Sequence, residues 1–123
     1  MPSKRPGTTL EVDHRGECTV LHVKGGLTRD VAPAMLLQGE IRSLQTDGPP
    51  RLVLDLKEVP VWDDNGVGAV IGVAKWVVTA GGRLLIAATP ADLRERFRQG
   101  NLDQRLEFRE TVEQAVNEFG GLE

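Results

Sequence analysis

The residues best suited to chemistry in this chain lie close together. Asp55 ends an apolar run, and Asp63, Asp64 and Asn65 follow within ten positions. Paired carboxylates near a strand end can hold Mg²⁺ or move protons, and α/β folds often keep their sites there. Behind them, Gly66 to Ala80 carries Lys75 as its only charged side chain and reads as a helix. Asp63, Asp64 and Asn65 therefore sit where a strand hands over to a helix N-terminus. The unpaired N–H groups and positive dipole end there suit an anion, a phosphorylated side chain or a partner contact.

The companions that catalysis needs are missing from the sequence. There is no histidine near the acidic cluster, no Gly-rich phosphate loop with its Lys-Ser/Thr, and no serine or cysteine elbow. A plain structural role accounts for the cluster: Asp64 is expected to be the helix N-cap and Asp63 a second acceptor for the turn. No catalytic residue, metal ligand set or cofactor is expected. His14 and His22 fall on predicted strands, His22 alternating with the inward set as a strand residue without special role. Cys18 reads as a small, half-buried hydrophobe. Of Trp62 and Trp76, either suits a core, and Trp62, next to the turn, is the better exposed anchor for an interface.

The elements that must position this cluster are set by the hydrophobic pattern. Leu10 to His14 and Cys18 to Lys24 alternate apolar and polar around a Gly16 turn, which predicts a half-buried antiparallel hairpin. Gly25-Gly26-Leu27-Thr28 breaks the strand, and Thr28 or Asp30 is expected to cap the next helix. Val31 to Thr46 reads as that helix, with Val31, Met35, Leu36, Ile41 and Leu44 inward and Pro33 tolerated in its first turn. Asp47-Gly48-Pro49-Pro50 ends it. Arg51 to Leu56 is continuous in its core, so it is expected to be central and covered on both faces. Gly66, Gly68 and Gly72 weaken the next helix by about 1 kcal/mol each. That is tolerated where the backbone packs closely on the sheet, or where the helix is left bare for a partner. Arg83 to Thr89 is another buried strand. Thr89 is expected to cap a short helix with Leu93 and Phe97 inward, Leu106 to Phe108 to form an edge strand, and Thr111 to cap a last helix lined by Val112, Ala115, Val116 and Phe119.

The predicted order is β-β-α-β-α-β-α-β-α: an α/β single domain with a mixed, mostly parallel sheet and helices packed on it. Residues 1–9 are read as a flexible arm and 10–119 as the domain. At 123 residues, 40% hydrophobic and 27% charged, the chain has an ordinary globular composition. A net charge of −3 offers no general attraction to nucleic acid or anionic membrane. No apolar run is long enough to span a bilayer, Met1 to Thr9 has no apolar core after Lys4 and Arg5 and so is not expected to act as a signal peptide, and a single cysteine fits the cytoplasm. Leu122-Glu123 has the look of a cloning remnant and is given no weight.

Set in this order, the residues resemble a family. Leu52-Val53-Leu54-Asp55-Leu56, Val59 to Trp62, Asp63-Asp64-Asn65-Gly66-Val67-Gly68 and Gly81-Gly82-Arg83-Leu84-Leu85-Ile86 are similar to the STAS domain of bacterial anti-sigma-factor antagonists. Gly25 to Thr28 and Gly100 to Leu106 resemble further loops of that family. The resemblance implies a cytoplasmic, non-enzymatic regulator of transcription that binds an anti-sigma factor of the serine/threonine kinase type. Such a partner phosphorylates a serine or threonine at the helix start and so releases itself. The partner surface implied here is Thr28, Trp62, Asp63, Asp64, Asn65, Gly66, Val67 and Gly68.

The chain departs from the family pattern at that surface. The family's Ser-Ser/Thr pair is Asp64-Asn65, so the switch position, Asn65, has no hydroxyl, and Thr28 replaces an acidic residue. The first reading is a phosphorylation-insensitive antagonist. The alternatives are a STAS scaffold or sensor-complex subunit that binds other STAS proteins or itself, and a small-ligand or Mg²⁺ module on Asp55, Asp63 and Asp64. Asn65-Gly66 is also a deamidation-prone pair, slowed if the Gly66 N–H is held by a helix start.

Overall fold

The computed structural model describes residues 8–44 and 48–120. Strands β1 (Thr9–Arg15) and β2 (Cys18–Lys24) form the expected antiparallel hairpin. Its two-residue turn opens on Gly16 at φ 59°, a left-handed geometry that glycine adopts without strain. Strands β3 (Arg51–Glu58), β4 (Arg83–Ala87) and β5 (Phe108–Arg109) add in parallel, giving the sheet order β1-β2-β3-β4-β5. Helices α1 (Pro33–Leu44), α2 (Asp64–Thr79), α3 (Ala91–Gln99) and α4 (Val112–Glu118) complete the predicted order. Short 3-10 turns at Arg29–Val31 and Leu102–Gln104 are additional.

β3 is the central strand and is covered on both faces, as its unbroken apolar core predicts. Leu52, Leu54 and Leu56 join the larger core with Leu37 and Ile41 of α1, the Val67-Val70-Val73-Val77 side of α2, and Leu93 and Phe97 of α3. Val53 points the other way, into a smaller core with Cys18, Val20, Leu85 and the Val112, Ala115 and Val116 stripe of α4. Thr111 caps α4 through a reciprocal capping box with Gln114. No helix among the described residues is long and apolar enough to cross a membrane.

Several boundaries differ from the sequence-based expectation. α1 starts at Pro33, after Ala32 has turned into the left-handed region at φ 48°. The later start resets the helix phase, so Pro33, Leu37 and Ile41 face inward and Met35 is 76% exposed. The expected stripe through Val31 and Met35 mixed two phases. The predicted end of that helix, at residues 45–47, lies outside the described residues, as do most of the 1–9 arm and Leu122-Glu123. Pro90 rather than Thr89 takes the cap position of α3, and the Thr89 hydroxyl oxygen is buried without a partner. Thr9 belongs to β1, and β5 lies two residues later than expected, at the sheet edge.

His22 has a role that alternation alone did not reveal. It stands beside Asp55 in the β2–β3 register, with Nδ1 2.6 Å from Asp55 Oδ2. Asp55 is 3% exposed and also accepts from the Lys57 amide at 3.0 Å and the Lys57 ammonium at 3.2 Å. Burial alone would raise its carboxyl pKa. The hydrogen bonds from Lys57 and His22 outweigh that and hold it below the usual value. A depressed folded-state pKa contributes stability that is present above the unfolded carboxyl value of about 3.9 and is lost as pH falls through the folded one. Asp55→Ala should therefore lower unfolding stability by roughly 1–3 kcal/mol at neutral pH. In urea titrations at several pH values, its gap from the wild type should narrow below about pH 4.

Candidate functional site at the start of helix α2

Two loops meet where β3 gives way to α2. The Leu27 N–H donates to the Val61 carbonyl at 2.9 Å, and the Asp63 N–H donates to the Leu27 carbonyl at 3.2 Å. Leu27 and Trp62 thereby pair as a one-residue parallel bridge. Leu27 is fully buried directly beneath the first turn of α2. A Cβ at position 66 would lie 2.2 Å from the Leu27 carbonyl oxygen, so only glycine lets the helix settle onto this loop.

Asp63 locks the junction. Its backbone is extended and its Oδ1 accepts the Asn65 N–H at 2.9 Å and the Gly66 N–H at 3.2 Å, which makes it the N-cap. Oδ2 accepts the Arg29 N–H at 2.8 Å, across the gap to the other loop. These contacts, the Arg29 amide foremost, keep the Asp63 carboxyl below its ordinary pKa despite partial burial. Its contribution is thus full above about pH 4 and is lost as pH falls through the folded-state value.

The N-cap expected at Asp64 is therefore at Asp63. Asp64 is already helical, projects 77% exposed, and meets Arg96 of α3 at 3.2 Å. Trp62 is not the free anchor expected: it is half-buried, and its ring N–H donates to Asp92 at 3.1 Å. Trp76, on the other side of α2, is the more exposed tryptophan at 39%. Thr28 is half-buried, and its hydroxyl bonds to the Asp30 carboxylate instead of capping a turn. Gly66 and Val67 are buried and support the site from beneath, whereas Asp64, Asn65 and Gly68 face solvent.

Asn65, at the second helical position, opens onto a shallow depression lined by Arg29, Ala32, Pro33 and Met35. Met35 and Val61, both exposed, add apolar surface near this helix start. Arg29 and Asp92 were not singled out from the sequence, Arg96 reads there only as a solvated surface residue, and Met35 was expected to face inward but is exposed. Arg29 adjoins the Gly-Gly-Leu-Thr loop and was within reach of that reading. Asp92 and Arg96 lie some thirty residues away with no local signal. Asp55 does not join Asp63 and Asp64, because its side chain lies on the opposite face of the sheet with His22 and Lys57. Among the described residues, no group of three or more histidine, cysteine or acidic side chains is placed to hold a metal ion.

A family model for the STAS domain matches residues 9–115. Among solved structures, an anti-sigma factor antagonist from Mycobacterium paratuberculosis is 23% identical, with TM-score 0.77 over 95% of this chain and 97% of that one. An anti-sigma-factor antagonist (STAS) domain protein from Planctomyces limnophilus is 14% identical, with TM-score 0.78 over 90% and 97%. The Bacillus cell fate determinant SpoIIAA in its phosphorylated form is 20% identical, with TM-score 0.63 over 92% and 99%. At these identities the likeness is one of fold.

Two glycines two positions apart, on opposite sides of α2, should respond in opposite directions. Gly66→Ala drives a Cβ into the Leu27 backbone and should destabilise by roughly 1–3 kcal/mol or more. A Cβ at Gly68 meets nothing within 4 Å. Gly68→Ala should therefore stabilise by about 0.5–1 kcal/mol. Thermal melts of the two variants read both signs. Asp63→Ala should lower the melting temperature and, by removing one of the two acceptors of the Gly66 N–H (the Asp63 carbonyl at 2.9 Å remains), let this helix start fray so that the Gly66 nitrogen reaches the Asn65 side-chain carbonyl more often. Peptide mapping of aged protein should then find more aspartate and isoaspartate at 65 than in the wild type.

Proposed function

The chain belongs to the STAS domain family, and from that premise we propose that it is an anti-sigma-factor-antagonist-like regulator whose phosphorylation switch is absent. Its partner is an anti-sigma factor of the serine/threonine kinase type, and its place of action is the cytoplasm. It works by binding rather than by catalysis. The observation that carries the reading is Asn65: exposed at the start of α2, rimmed by Arg29 and Met35, and lacking a hydroxyl. One fold relative is a protein that exists in a phosphorylated form. No serine or threonine occurs from Val59 to Thr79 before Thr79 itself, at the far end of the helix.

The physical logic is one of charge. A phosphate brings about −1.5 to −2 charges and three strong acceptors to a helix start. There it is held by helix N–H groups and repels an acidic partner surface. Asn65 is neutral and near serine in size, so it keeps the contact surface in the unphosphorylated form. Asp64 adds one fixed negative charge next to it, partly offset by Arg96. Trp62, Asp63, Gly66 and Val67 shape that surface, and Thr28 orders the neighbouring turn.

The test pairs the wild type with Asn65→Ser and Asn65→Asp against kinase-type anti-sigma factors and ATP. The wild type should bind and take up no phosphate at the helix start. Asn65→Ser should bind, accept phosphate at 65, and then dissociate. Asn65→Asp should fold normally, since an acidic side chain suits a helix start, yet bind roughly tenfold or more weakly, as like-charge contacts do. If no such kinase binds the wild type, or if a bound kinase leaves Asn65→Ser unmodified, the reading fails. Co-elution with other STAS proteins in that case would support the scaffold alternative.

A further inference from the structure

The outward face of α2 carries a second feature, remote from its start. Gly68, Ile71, Lys75, Val78 and Thr79 recur at helical spacing on the side away from the core. Val78 is 69% exposed. Ile71, Ala74, Val78 and Thr79 form one wall of an open groove of about 460 Å³, and Leu102 and Leu106 form the other. Ile71, Ala74, Leu102 and Leu106 are only partly covered by the core beneath them. Lys75 and Arg105 stand on the groove as its charged groups, with no carboxylate among the described residues that line it. The chain as a whole carries net charge −3, so an apolar trough flanked by two cations is a local inversion of the surface.

We propose that this groove is a docking site for an amphipathic helix of a partner protein, with carboxylates flanking its apolar stripe. An apolar trough beside an exposed helix is the shape that receives a helix by its i, i+3/i+4, i+7 side chains. Lys75 and Arg105 select acidic flanks by charge complementarity. The groove is open to solvent on one side, which suits a helix laid across it better than a ligand that a closed cavity buries on most of its surface. A second copy of this chain fits poorly. In a two-fold contact over the groove, Lys75 and Arg105 of one copy would meet the same cations of the other. The chain's own apolar helix stripes, such as Leu37 and Ile41 or Leu93 and Phe97, are already buried in the core. Val78 lies thirteen residues along α2 from Asn65, about 20 Å at the helical rise, so this site does not depend on the switch reading.

The experiment is a selection from a displayed library of helical peptides with a fixed apolar stripe and randomised flanks, using the full chain as bait. Retained peptides should be rich in Asp and Glu. Val78→Asp, and separately the pair Lys75→Glu with Arg105→Glu, should each weaken binding of a selected peptide roughly tenfold or more, as loss of a central contact does. The charge-reversed pair should favour peptides with Lys and Arg flanks. Asn65→Ser and Met35→Asp should leave peptide binding unchanged, which separates this site from the helix start. All of these positions are solvent-facing, and circular dichroism melts confirm that each variant folds. Peptides with basic or indifferent flanks, or a selection that yields none sensitive to Val78→Asp, overturn the proposal. So does a concentration-dependent dimer in sedimentation that Val78→Asp abolishes, which would assign the groove to a second copy.

Discussion

The Asp63 carboxylate is the contact on which the site depends. One oxygen closes the first turn of α2 and the other holds the Arg29 amide of a loop that is remote in sequence. A carboxylate that accepts three backbone N–H groups is a charge-assisted hub, stronger than three neutral bonds. It also leaves that carboxylate with little capacity for an external ligand. The same residue that could have suggested metal or acid–base chemistry is occupied in building the surface. What remains outward is Asn65, Asp64 and the apolar side chains around them.

The glycine contact beneath the helix complements this clamp. Gly66 brings the α2 backbone down onto Leu27, and the hydrogen bonds between Leu27, Val61 and Asp63 fix the spacing of the two loops. The helix start is thus held from below by packing and from the side by a charge. Such double restraint keeps the exposed residues at fixed positions, which a recognition surface needs if it is to answer to a single added charge. Beyond the first turn the constraint relaxes. A Cβ at Gly68 would meet nothing within 4 Å, and the outer side of α2 carries apolar atoms that none of the described elements covers.

The two glycine explanations left open by the sequence divide between positions. Close packing accounts for Gly66. An open outward face accounts for Gly68, and at Gly72 the nearest atom to a Cβ is the tip of the Gln38 side chain at 3.9 Å. A Gly-rich, weakly charged helix therefore has different reasons along its length, and composition alone does not separate them.

Much of the fold was legible in the sequence. Period-two alternation marked the hairpin, an unbroken apolar run marked β3 as central, and Thr111 marked the α4 start, because these signals are local. The junction that carries the candidate site was legible too, since a strand, a turn and a Gly-rich helix adjoin one another in the chain. Two adjacent aspartates, however, are equally good caps on paper, and the choice of Asp63 was made by the loop carrying Leu27 and Arg29, which lies more than thirty residues upstream. Met35 turned outward because Ala32 and Pro33 reset the helix phase, and Trp62 lost its freedom to an acceptor, Asp92, on α3. Side-chain type and spacing thus determined which chemistry the helix start lacks, above all the missing hydroxyl at Asn65. Only the tertiary structure decided which of its neighbours are free to meet a partner, because that depends on hydrogen bonds and contacts between segments that the sequence keeps apart.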